Sequence, residues 1–121
     1  MEKYRESLSL AGTAMSREKL AAILEEIACD QELDESKLAE FETLLAHFRG
    51  DALIGAAADE LTEYALTWAP IKNILGVTVR EKPDAADTLE HRSNLRLYAK
   101  AIRQNLSGRL SPKQIQTKIK P

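Results

Sequence analysis

After Glu90 the chain carries no Asp or Glu, yet eight cations follow: Arg92, Arg96, Lys100, Arg103, Arg109, Lys113, Lys118 and Lys120. Cations gathered without acids beside them suit a polyanion, above all a nucleic-acid backbone, where each neutralised phosphate releases counterions. Their spacing adds to this. On a helix, taking Arg92 as zero, Arg103, Arg96 and Lys100 fall at about 20°, 40° and 80°, in a row that rises roughly 16 Å. Tyr98, Ile102, Leu95, Leu106 and Ala99 fall between about 240° and 340°, so one side of that helix can pack while the cations stand beside it. Arg109, Lys113, Lys118 and Lys120 extend the row if a following helix turns alongside. The plainer alternative is a solvated face, or one paired with acids from earlier in the chain.

Those acids are concentrated too. Residues 31–63 hold nine Asp and Glu against two Lys and Arg, while the whole chain nets only −2. Such segregation steers encounters with an oppositely charged partner, or holds two parts of one fold together. An acidic surface here, with Glu35 and Glu42 among its contacts, suits a basic protein partner. The apolar run 64–79 contains Trp68 and Ile71, residue types that can anchor an interface. The single Trp equally suits the core of a small bundle.

Catalytic and metal chemistry find little support. His47 and His91 are far apart, with no histidine pair at i and i+4 to grip a metal. The five glycines are scattered, with no phosphate-cradling loop. Cys29, the only cysteine, stands among Glu25, Glu26 and Asp30, the opposite of the electropositive setting of a catalytic thiolate. Asp30 to Phe41 has the length of a calcium loop. It puts Glu35 and Phe41 where the EF-hand needs Gly and Glu. We expect no enzyme, no cofactor, no metal and no small-molecule substrate.

The elements that must position these residues read as helices. Tyr4, Leu8 and Ala11 mark a short one over residues 2–11, interrupted at Gly12. Ser16 caps a second, with Leu20, Ile23, Leu24 and Ile27 as its stripe. A third spans residues 36–48 with Leu38, Phe41, Leu45 and Phe48 on one side, started by Asp34 or Ser36 and ended by Gly50. A fourth follows from Asp51 and carries Leu53, Ile54, Ala57, Leu61 and Trp68. The Ala-rich run beside Gly55 invites close approach of a neighbour, and Pro70 closes the helix. Residues 71–83 read as a helical turn and a short extended connector, because a lone strand has no partner. The basic helix runs over residues 85–106 with Gly108 as its cap. Ser111-Pro112-Lys113-Gln114 then signals a capping box and a short last helix.

Together these give an all-α fold: a bundle of about five helices plus a short C-terminal helix. One domain covers residues 1–121, with 109–121 able to form a separable basic arm. A disulfide within the chain is excluded by the single cysteine. The opening residues lack the apolar core of a secretory signal and no run is long enough to span a bilayer. A cytoplasmic location and no membrane partner are expected.

Three short likenesses bear on function. Residues 28–41, ACDQELDESKLAEF, resemble the acidic inter-helix turn of the tellurite-resistance TerB-like helical family. They depart from it at Gln31 and Lys37, and no site is carried over. His47-Phe48-Arg49-Gly50 resembles the histidine motif of helical phosphotransfer domains, but its basic residue and Gly come one step too early. In size and helical class the chain is similar to the small subunits of CRISPR effector complexes, which implies basic side chains lining a single-stranded DNA path. The leading expectation is therefore a non-catalytic helical subunit that holds a nucleic-acid backbone within a larger nucleoprotein complex. Its rival is an immunity-protein-like or antitoxin-like inhibitor or regulator that meets a protein through the acidic 32–63 surface.

Overall fold

The first helix, α1, runs unbroken from Glu2 to Cys29. Gly12, expected to interrupt it, lies inside. One glycine costs a helix only about 1 kcal/mol relative to Ala, too little to end a run of good helix formers on both sides. The computed structural model describes residues 2–30, 33–68, 72–79, 83 and 85–120. Along the later half of α1, Leu20, Leu24, Ile27 and Ala28 are buried, as their spacing requires.

Helix α2 (Glu35–Leu45) starts on Asp34, whose carboxylate accepts from the backbone amides of Ser36 at 2.9 Å and Lys37 at 3.3 Å. These bonds, the one from Lys37 first, hold the Asp34 carboxyl below its ordinary pKa. A 3-10 turn over Ala46–Phe48 follows, and Gly50 takes the left-handed conformation (φ 86°) expected at this corner. Asp51 caps α3 (Ala52–Thr67) through the amide of Ile54 at 3.1 Å. It also accepts from Arg17 of α1 at 2.8 Å, which ties the start of α3 to the first helix. In α3 the small residues Ala56 and Ala57 are buried. Gly55 is not at the close approach, since a Cβ placed there meets nothing within 4 Å.

Between α3 and the next helix the connector has a partner after all. Strands β1 (Lys72–Ile74) and β2 (Val77–Val79) pair antiparallel, with Asn73 opposite Thr78. Leu75 and Gly76 form the turn with φ of 53° and 80°. Positive φ at both central residues is the type I′ geometry that fits the twist of a hairpin. Leu is a poor residue for it, which hides the hairpin from a sequence reading. The bundle therefore carries a two-stranded ribbon at one connection.

Helix α4 (Ala85–Arg103) is the central strut, with α1 packed along one side and α3 along another. It ends one turn short of expectation. Asn105 adopts φ 55°, its amide bonds to the Ile102 carbonyl, and the Leu106 amide reaches back to Ala101. This pair of bonds is a Schellman motif, for which Asn is the usual substitute for Gly. Gly108 (φ 92°) belongs to the following loop. Helix α5 (Pro112–Lys118) opens on the expected capping box between Ser111 and Gln114. It is docked rather than loose. Ile115 is fully buried, the Tyr98 hydroxyl donates to the Leu110 carbonyl at 2.8 Å, and the Gln104 side chain bonds both backbone groups of Lys120. No helix among the described residues is long and apolar enough to cross a membrane.

Candidate interaction surfaces

The row of cations does not stand in solvent as a unit. Arg92 is half-buried, with its guanidinium 5.9 Å from the centre of the Tyr64 ring. Arg96 is exposed but reaches the Ala28 carbonyl at 3.4 Å, at the negative end of the α1 dipole. Arg103 donates from Nε to Glu18 at 2.9 Å and also contacts Glu25, so it clasps α4 to α1. Arg109 is paired with Asp59 of α3, and that bond raises its pKa further. Every arginine after Glu90 thus has a partner inside the molecule. The lysines differ. Lys100, Lys113, Lys118 and Lys120 are all exposed, and none pairs with an acid among the described residues. Tyr98, the aromatic nearest the row, is buried and hydrogen-bonded, so it offers no ring to a base.

The acidic side presents a groove. The backbone of α2 keeps close to α1, leaving a hollow of about 320 Å³ between α2 and α3. Leu38, Phe41 and Leu45 line one wall; Leu61, Ala65 and Leu66 line the other. Two alanines, Ala58 and Ala65, leave the α3 wall too short to fill the gap. Leu66 at the rim is 77% exposed and carries the apolar lining of the hollow out to the surface. Glu42 stands at the opposite lip, and Glu35 shares its face of α2 one heptad earlier. The remaining interface candidates fare otherwise. Trp68 is buried in the core at the end of α3, so it is not available as a surface anchor, and Ile71 lies outside the described residues. Leu38, Phe41 and Leu45 were legible as an apolar stripe. That α3 would fail to cover them was not, and Leu66 gives no signal in the sequence.

A third feature lies where α3 faces α4. Glu60 Oε1 is 3.0 Å from His91 Nδ1 and accepts from the Asn94 amide at 2.7 Å. Glu63 is the next acid along α3, and one ligand atom from each of Glu60, Glu63 and His91 lies within 4.8 Å of the others. Among the described residues this is the group able to hold a metal ion. The chain matches no protein-family model, no curated protein and no solved structure.

Proposed function

We propose that this protein is a non-catalytic interaction module that seats a basic amphipathic helix of a partner protein in the groove between α2 and α3. The observation that carries this reading is an open apolar groove in the most acidic part of the chain. An apolar stripe needs one residue about every turn to fill such a groove, and a helix supplies that at i, i+3 and i+7. Glu42, Glu35 and the excess of acids over residues 31–63 favour lysine and arginine on the flanks of the incoming helix. This is the regulator-like role, with the groove rather than Trp68 as its anchor.

A synthetic helical peptide with leucines at those positions and lysines beside them tests it, against a scrambled peptide of the same composition. Amide chemical-shift changes should map to α2 and α3, and scrambling should abolish them. Burying the exposed Leu66 side chain is worth about 2 kcal/mol, so Leu66→Asp should weaken binding by about 30-fold. Glu42→Lys should weaken it and flatten its salt dependence. Shifts elsewhere, or equal binding of the scrambled peptide, defeat the reading.

A second reading keeps the nucleic-acid backbone as partner, within a larger nucleoprotein complex. The four exposed lysines, unmatched by any acid among the described residues, favour it. Its contacts are then Lys100, Lys113, Lys118 and Lys120 rather than the full row.

A further inference from the structure

We propose that Glu60, Glu63 and His91 form a binding site for a divalent transition-metal ion such as Zn²⁺. The donor set is one imidazole nitrogen and two carboxylate oxygens. That mixture suits zinc and its neighbours better than calcium or magnesium, which prefer oxygen alone. Three protein ligands leave a position for water, the arrangement of an open zinc site. The ligands come from two rigid, packed elements, since α3 carries both glutamates and α4 carries the histidine.

Geometry brings the set near closure. Around a tetrahedral zinc, with bonds of about 2.0–2.2 Å, the donor atoms stand roughly 3.5 Å apart. The Glu60 and His91 donors already approach to 3.0 Å, and the third lies within 4.8 Å. Glu63 is exposed and free to swing the remaining distance. Asn94 donates to the same Glu60 oxygen at 2.7 Å and so holds that carboxylate in place, as hydrogen bonds to metal ligands do.

Charge supplies the second argument. The Glu60 side chain is only 12% exposed, yet its partners are an imidazole and a neutral amide. No lysine or arginine pairs with Glu60 or Glu63 among the described residues. The two nearby guanidiniums are engaged elsewhere, Arg109 with Asp59 and Arg92 over Tyr64. Apart from His91, which balances Glu60 only when protonated, no cation is assigned to either carboxylate, so the pair is poorly balanced. A divalent ion would supply that charge where the ligands already point.

Titration of chelator-treated full-length protein with ZnCl₂ tests the site, with MgCl₂ as the comparison. We expect one saturable site for zinc and none for magnesium. At zinc about 100-fold above its dissociation constant, the unfolding midpoint should rise on the order of 10 °C. Glu63→Gln, at an exposed position, should leave the metal-free midpoint unchanged and weaken binding about ten-fold or more. His91→Gln should remove binding, and Cys29→Ser should leave it intact. Absence of saturable submillimolar binding overturns the assignment, and so does binding that survives Glu63→Gln at full strength. In that case Glu60 and His91 form an ion pair and nothing more.

Discussion

The salt dependence of nucleic-acid binding discriminates between a row of cations and the four that the fold leaves exposed. For duplex DNA the logarithm of affinity falls with the logarithm of salt at a slope of about −0.9 per phosphate contacted. Four lysines predict a slope near −3.6, and between 50 and 200 mM salt that is a loss of about 100-fold. If all eight cations made contacts, the slope would be near −7 and the loss about 10,000-fold. Fluorescence anisotropy of a labelled duplex, repeated with a single strand, separates these outcomes. Variants sharpen the test. Lys100→Gln and Lys118→Gln should each reduce the slope by about 0.9. Arg103→Gln should leave it unchanged, because that guanidinium is held by Glu18 and Glu25 of α1. A steeper slope, or one that Arg103→Gln reduces as much as Lys100→Gln does, refutes the division between held and exposed cations. No binding at low salt removes the nucleic-acid reading altogether and leaves the groove.

Two further predictions concern stability. Gly55→Ala should stabilise the protein by about 1 kcal/mol in urea unfolding, since a helix gains from Ala and its Cβ meets nothing within 4 Å; a neutral or destabilising result would place Gly55 at a contact. Asp34→Asn keeps a capping side chain but removes its charge. The folded Asp34 carboxyl is held below its ordinary pKa, chiefly by the Lys37 amide, so the charged cap stabilises fully above the unfolded carboxyl's pKa. That contribution is lost as pH falls through the lowered folded value. The advantage of wild type over Asp34→Asn should therefore be present at neutral pH and vanish in acid, as followed by thermal unfolding across that range. A gap that persists at low pH would show that the titration of Asp34 does not matter.

Most of the architecture was legible because short-range chemistry decides it. Asp34, Asp51 and Ser111 each begin a helix in the structure, and Ser111 with Gln114 completes a capping box whose residues are adjacent in sequence. The misread places turn on competition between weak local preferences and packing. Gly12 lies within α1 because one glycine is a small penalty. Asn105 rather than Gly108 ends α4, since Asn tolerates left-handed geometry and comes first. The hairpin turn at Leu75-Gly76 lacks the Asn or Asp that usually announces it. The sites were harder to see. Glu60 and His91 are 31 residues apart, and the groove exists because of how far α2 stands from α3, which no local pattern encodes.

The charge segregation along the sequence resolves into a division of labour between two kinds of cation. Arg103 meets Glu18 from 85 residues away and Arg109 meets Asp59 from 50, so acids of the first half answer cations of the last third. These long-range pairs, with Arg96 on the end of α1 and Arg92 over Tyr64, use what guanidinium offers. It is planar, presents several directed donors, stacks on rings and gives up water easily. The ammonium of lysine is compact and strongly hydrated, and Lys100, Lys113, Lys118 and Lys120 remain in solvent. A run of basic residues is therefore better read by type than by count. In this stretch the arginines hold the basic helix to the bundle, and the lysines are what an outside partner would meet. The acidic half is divided in the same way. Glu18, Glu25 and Asp59 are engaged within the fold, while Glu42 stands at the lip of an apolar groove that the described residues leave open.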